Sequence, residues 1–216
     1  GTNTGDFLIQ PTLKNPLITI NSGQKYYKER LNGKTFNIAS PSFFQVNMRQ
    51  LETLVNLIKN ILDLSGSERI VDAYTGVGTF AILLAKYAGE VVAIEESSSA
   101  ISDAKKNVEG VLGIQFIHGK TEEVLSELEV KPYAVILDPP RKGCQLKALM
   151  ALNQLQPEKV VYVSCDPETL GRDLKIMCDG PFKLETVQPI DMFPQTRHVE
   201  CIAYLSRKPI LKEPEL

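Results

Sequence analysis

Between Val46 and Leu64 apolar residues recur at helical spacing (Leu51, Leu54, Val55, Ile58, Ile61, Leu62), and Ser65-Gly66-Ser67 closes the run. The pattern predicts an amphipathic helix. Beyond it, short apolar runs alternate with amphipathic stretches. Arg69–Ala73, Val91–Glu95, Ile114–His118, Ala134–Asp138 and Val160–Cys165 read as buried strands, with helices near 79–88, 98–109, 121–129, 146–155 and 167–178. Regular alternation of this kind predicts an α/β fold, a doubly wound and mostly parallel sheet covered on both faces. The end of the chain departs from the pattern. Phe182–Val187 and Val199–Leu205 are β-leaning and joined by a loop without helical spacing, which predicts an antiparallel C-terminal edge. Ahead of the first helix, Leu17–Ile20 and Thr35–Ile38 accompany the turn clusters Asn21-Ser22-Gly23 and Asn32-Gly33. They predict a small antiparallel β appendage over residues 1–40, with the main domain over 41–216.

Composition narrows the function classes. At 216 residues and 43% hydrophobic content the chain buries a full core without needing disulfide staples. Its 24 Lys and Arg against 26 Asp and Glu give a net charge of −2, which excludes a protein holding nucleic acid mainly through phosphates. There is no apolar run of bilayer length, and Gly1–Gly5 has neither the basic flank nor the apolar stretch of a signal peptide, so a cytoplasmic protein without a membrane partner is expected. Cys144, Cys165, Cys178 and Cys201 are far apart, with no Cys-x-x-Cys pair and no histidine cluster. No metal site is expected, and the thiols should stay reduced.

In a doubly wound sheet the ligand lies outside the carboxyl ends of the strands. The first strand runs into Asp72-Ala-Tyr74-Thr-Gly76-Val-Gly78-Thr79, a turn whose glycines admit a ligand close to backbone. Gly76, Gly78 and Ala81 also satisfy the relaxed dinucleotide pattern, with Glu95 at the distance of a ribose-binding acid. Asp72 decides between the two ligands, because an acid just before the glycines favours a cationic amino acid group and repels a pyrophosphate. S-adenosylmethionine fits better than a nicotinamide dinucleotide, although Glu95 beside Ser97 is also compatible with a helix-capping acid. Asp138-Pro139-Pro140-Arg141 ends the fourth strand. A similar Asp-Pro-Pro followed by an aromatic residue occurs in methylases of exocyclic amino groups; here Arg141 and Lys142 follow, available to phosphate. Cys165 passes from a buried strand into a helix start opened by Pro167, where dipole and amide groups push a thiol toward thiolate and Asp166 opposes them. The other cysteines read as apolar fillers. Asp191–Glu200 is a polar loop in which His198-x-Glu200 is also compatible with a structural pair.

Phe43-Phe-Gln45-Val-Asn47, Asp72-x-Tyr-x-Gly-x-Gly-Thr79, Asp138-Pro-Pro-Arg141, Ser164-Cys-Asp-Pro-x-Thr-Leu-x-Arg-Asp173 and Asp191-Met-Phe-Pro-Gln-Thr-x-His-Val-Glu200 occur in order. Together they resemble the RNA uridine-5-methyltransferase family from about residue 40 to the end. The resemblance implies a Rossmann-like methyltransferase sheet and an enzyme that uses S-adenosylmethionine, held by Gln45, Tyr74, Glu95 and Asp138, with Thr79 a further candidate. It implies Cys165 as nucleophile, Glu200 as base and Phe43 or Phe44 against the target base; the RNA partner is expected to be ribosomal ahead of transfer RNA, and the protein a monomer. Members of the family carry an amino-terminal RNA-binding β-barrel domain and often an iron–sulfur cysteine cluster, so this chain is expected to be a fragment. The other readings are a silent S-adenosylmethionine-binding RNA module and a nicotinamide oxidoreductase; the latter leaves Asp72, the Asp-Pro-Pro loop and the Cys165 segment without a purpose.

Overall fold

The computed structural model describes residues 26–209, so the expected run Leu17–Ile20 lies outside the described residues. Strand β1 (Tyr26–Leu31) turns through Asn32-Gly33 into β2 (Lys34–Ala39), antiparallel with Leu31 opposite Lys34. Asn32 and Gly33 have φ of 47° and 82°, the two positive values of a type I′ turn. Helix α1 (Met48–Leu62) buries Leu51, Leu54, Val55, Ile58 and Leu62 on one stripe. Leu31, Phe36 and Ile38 of the hairpin are fully buried in the same core as α1.

The main sheet has, among the described residues, seven strands: β3 (Arg69–Ala73), β4 (Glu90–Glu95), β5 (Ile114–His118), β6 (Ala134–Leu137), β7 (Lys159–Ser164), β8 (Phe182–Ile190) and β9 (Glu200–Arg207). Their spatial order is β5-β4-β3-β6-β7-β9-β8. The first five are parallel, and β9 pairs antiparallel with both β7 and β8. The crossovers are α2 (Thr79–Leu84, followed by a 3₁₀ turn), α3 (Ser98–Asn107), α4 (Thr121–Glu127), α5 (Leu146–Leu155) and α6 (Pro167–Asp179). This is the expected α/β sheet with its antiparallel C-terminal edge, and the expected small antiparallel sheet precedes it.

Alternate residues serve opposite faces. Ile70, Val91, Ala93 and Ile136 pack with α1, α2 and the hairpin, whereas Val71, Val92, Val135 and Tyr162 pack with α5 and α6. Pro189 sits on β8 at the sheet edge, where a missing N–H costs no ladder bond. Two strands stop one residue sooner than the apolar runs predicted, at Leu137 and Ser164. Asp138 and Cys165 therefore stand just past the ladder. The last pair extends further than predicted, to Ile190 and Arg207, because pairing with β9 sustains backbone whose side chains are mostly exposed.

Candidate active site at the carboxyl ends of the strands

Strand order reverses direction between β3 and β6, so the crevice of the fold opens at their carboxyl ends. The glycine-rich turn after β3 is held by Asp72, which is fully buried. Its Oδ2 accepts the Thr75 hydroxyl at 2.5 Å and the Ala81 N–H at 2.8 Å, capping α2 from the preceding strand. Its Oδ1 is buried with no partner. Burial pushes the carboxyl up to about 7 against these hydrogen bonds, with Glu95 adding to the rise. Gly78 has φ of 89°, and a Cβ there would lie 2.9 Å from Ile82 Cδ1 and 3.3 Å from Ala104 Cβ, so close approach of α3 requires glycine.

Tyr74 holds φ of 68°, a conformation that costs a non-glycine residue on the order of 1 kcal/mol. It is half-buried; its hydroxyl meets Cys144 and Thr121, and burial is the main push on its pKa, upward. The Glu95 carboxylate accepts the Gly76 N–H at 2.9 Å through Oε2 and the Ser97 N–H at 2.7 Å through Oε1. The α3 cap itself is Ser97, so Glu95 is fixed by the turn and keeps lone pairs for a diol.

The reacting groups come from the other side of the crevice. In the antiparallel pair of β7 and β9, Ser164 lies opposite Cys201. Continuing that register by one residue brings Cys165 opposite Glu200. Glu200 is 1% exposed, its Oε2 has no partner, and burial pushes its carboxyl up to about 7. It is thus no structural pair with His198, whose ring sits edge-on to Phe193 at 6.3 Å. Asp138 is raised well above the ordinary carboxylate range by burial, with the charges of Glu200 and Asp72 next in weight. Three carboxyl groups therefore crowd one crevice, each disfavoured in its charged form.

Cys165 is half-buried on a cleft of about 400 Å³ that also exposes Arg141, Asp166, Arg197 and His198. The dipole-driven drop expected for its thiol is reversed. Burial and then Glu200 push it up, while Arg141 pulls it down. The helix start offers the thiol little in return, because Asp166 Oδ1 accepts the N–H groups of Glu168 at 3.0 Å and Thr169 at 2.9 Å and so engages first-turn donors of α6.

Between hairpin and α1, Gln45 keeps a buried Oε1 without a partner. Phe44 is in the core, 5.7 Å from the Phe36 ring, whereas Phe43 is 73% exposed. Thr79 is half-exposed at the start of α2. The positioning residues that the sequence did not single out are polar groups on apolar stripes. Asp103 Oδ2 accepts the Ala39 N–H at 2.8 Å and the Ser42 hydroxyl at 2.7 Å, and Asn107 Nδ2 donates to the carbonyls of Asn37 and Val77. Asn47 caps α1 and donates to the Met192 carbonyl at 3.1 Å, linking this segment to the loop that leads to Glu200. The readable signal was Asp103 and Asn107 four apart on the face of Ala100 and Ala104. Of the other thiols, Cys144 and Cys201 are buried, and all four cysteines are free. Among the described residues there is no cluster of metal-ligating side chains, and no helix is long and apolar enough to cross a membrane.

A match to the tRNA (uracil-5-)-methyltransferase family model spans residues 17–208. The chain belongs to this family. A relative in it, an uncharacterized RNA methyltransferase of Oceanobacillus iheyensis, is 41% identical over 191 residues, covering 86% of this chain and 42% of that protein. Another, from Thermosynechococcus vestitus, is 43% identical over 188 residues with the same two shares. The chain thus spans under half the length of the curated relatives it matches. Among solved structures, the Pyrococcus abyssi tRNA (uracil-54, C5)-methyltransferase in complex with S-adenosyl-L-homocysteine is similar at a TM-score of 0.73 and 38% identity, over 85% of this chain and 45% of that one. An rRNA methylase from Streptococcus thermophilus, at a TM-score of 0.60 and 14% identity over 74% of this chain and 96% of that one, shares the fold alone.

Proposed function

We propose that this chain transfers a methyl group from S-adenosylmethionine to C5 of a uridine in RNA, with Cys165 as nucleophile and Glu200 as base. The observation that carries the reading is the antiparallel register of β7 and β9, which sets a cysteine opposite a buried, unpartnered carboxyl beside a glycine-rich crevice.

The residues present fit the cofactor. Asp72 Oδ1 and Gln45 Oε1 are buried acceptors lacking donors, and a cluster of raised carboxyls gains from a cationic ligand what it would lose to an anionic one. Gln45, Tyr74, Glu95 and Asp138 would hold it, Glu95 through the ribose diol. When bound, S-adenosylmethionine supplies an electrophilic methyl group. C5 of uracil is too weak a nucleophile to take that group unaided, which is the problem covalent catalysis solves. The Cys165 thiolate adds to C6, and C5 becomes electron-rich enough to be methylated. Glu200, ionised, then takes the C5 proton, and the thiolate leaves C6. A base poised near neutral pH suits that step. The uridine must leave its stack to reach the crevice, at a cost of a few kcal/mol, and Phe43 offers a surface for it.

The test is RNA carrying 5-fluorouridine, whose C5 fluorine blocks the final proton removal. With S-adenosylmethionine it should give a denaturation-resistant adduct that maps to Cys165 by mass spectrometry and is absent in Cys165→Ser. No adduct from a full-length relative of this chain with its natural RNA would remove the covalent mechanism and leave the silent binding module standing. The sequence reading favours ribosomal RNA, whereas the family description and the Pyrococcus abyssi relative name transfer RNA. Methylation of the two RNA fractions in parallel decides between them.

A further inference from the structure

Arg172 and Asp173 end the Ser164–Asp173 segment and take no part in the chemistry above, yet Asp173 is fully buried on α6. Its carboxylate is where three elements meet. Oδ2 accepts the Tyr162 hydroxyl of β7 at 2.6 Å and the Cys144 N–H at 2.8 Å; Oδ1 accepts Arg172 Nε at 2.8 Å and Nη2 at 2.7 Å. Arg172 Nη2 also donates to the Lys142 carbonyl at 2.9 Å, and the Thr169 hydroxyl donates to the Arg141 carbonyl at 3.1 Å. Three side chains of one helix thus hold the backbone of Arg141, Lys142 and Cys144. Gly143 between them has φ of 75°, and a Cβ there would lie 2.6 Å from both Arg172 Nη2 and Asp173 Oδ2. A buried carboxylate persists only where donors satisfy it, and here the loop supplies one of them.

Helix α6 starts two residues after Cys165, and the loop held against it starts at Asp138. The Arg141 side chain shares the Cys165 cleft. We propose that Asp173, with Arg172 and Thr169, is a positioning clamp that locks the 141–144 loop onto the helix following the nucleophile and so fixes Arg141 beside Cys165. The purpose of the clamp rests on Cys165 being the nucleophile; its test does not. Glu200 from β9 and Asp138 from the end of β6 face the same thiol and push it up, and Asp166, Glu168, Arg197 and His198 line the cleft. Arg141 is the group whose loss raises the thiol further.

The experiment is alkylation of Cys165 in the folded 216-residue chain by iodoacetamide across a pH series, read peptide by peptide by mass spectrometry. Arg141→Gln should move the midpoint to higher pH by about half a unit or more. Asp173→Asn, similar in volume, should move it the same way, and the double variant should show no shift beyond that of Arg141→Gln alone. Arg172→Lys keeps the charge but breaks the fork, and should give a smaller shift in the same direction; it replaces Asp173→Asn if that variant does not fold. A lowered melting temperature with an unmoved midpoint would overturn the proposal and make Asp173 a core residue only. Additive shifts in the double variant would overturn it too, because Asp173 would then act independently of Arg141. Methyl transfer surviving in Cys165→Ser would remove the covalent reading and leave this cycle intact.

Discussion

Glu200→Gln should stabilise the protein while ending turnover. The Glu200 side chain is 1% exposed, has an unpartnered Oε2, and is pushed by burial from 4.5 to about 7. A carboxyl raised in the fold prefers its proton there. Well below the unfolded value both states are protonated and the shift costs nothing. As pH rises from about 4.5 to 7, the unfolded chain gives up a proton that the folded chain retains, so stability falls; above 7 the loss is complete. The distance from 4.5 to about 7, at about 1.4 kcal/mol per pH unit, sets the full loss at ~3 kcal/mol. Glutamine fills the same space and cannot ionise, so its stability lacks this fall. Asp72 and Asp138 titrate in both proteins, and the informative quantity is the difference between variant and parent. The chain has no tryptophan, so far-UV circular dichroism should follow urea unfolding. Between pH 5 and pH 8.5 the gap in favour of the variant should widen by about 2–3 kcal/mol. A gap that stays constant with pH would mean that the fold leaves Glu200 at its unfolded value, a gap that narrows would mean that it is held as a carboxylate, and either would end the argument for a neutral-pH base.

Cys165→Ser should abolish methyl transfer and leave S-adenosylhomocysteine affinity unchanged by calorimetry, since the thiol lies outside the proposed cofactor-holding set. Glu95→Ala releases the N–H groups of Gly76 and Ser97 and removes the proposed diol partner, so affinity for the same ligand should fall about tenfold or more; unchanged affinity would return Glu95 to a turn-capping role. Asn47→Ala removes both the α1 cap and the Met192 tie, and should lower urea stability by about 1 kcal/mol. Cofactor binding at pH 7 should release protons, because a cation favours the charged forms of Asp72, Asp138 and Glu200. Calorimetry in buffers of different ionisation enthalpy measures this, and an enthalpy independent of buffer would contradict it.

The sheet was legible because strands buried on both faces leave near-continuous apolar runs, and Ile70-Val71 or Val160–Val163 can be little else when helices alternate with them. The edge was legible through the absence of a helical pattern between Val187 and Val199. Strand ends were less so: Asp138 and Cys165 read as last strand residues because nothing local marks where a ladder stops. Within the site, both Glu95 and Asp72 do hydrogen-bond to the glycine-rich turn that the sequence put them beside. That one oxygen of Asp72 would be spent on Thr75 and Ala81 could not be read from spacing. Tyr74 gives no sequence sign of its left-handed conformation, since tyrosine is not a residue that favours it. The sequence set Asp166 against the helix start at Cys165, but the larger upward pushes on the thiol, its burial and then Glu200 from a distant strand, are tertiary and leave no local mark. Contacts between distant segments, such as Asp103 with Ala39, leave only the weak mark of a polar residue on an apolar stripe.

The crevice holds together groups that each oppose folding at neutral pH. Asp72, Asp138 and Glu200 are buried carboxyls with raised pKa, two of them with an oxygen that lacks any donor, and Tyr74 is held in a strained conformation. A fold selected for stability alone would replace them. The rest of the structure instead braces two of them: Thr75 and Ala81 on Asp72, and the Asp173 network on the loop that begins at Asp138. Bracing fixes where the carboxyls sit without neutralising them. The neutralisation is left to a ligand, and the only ligand charge that would reduce all three penalties at once is positive. That condition favours a cationic ligand, as a sulfonium with its ammonium group is, over a pyrophosphate, and it rests on burial and hydrogen bonding alone.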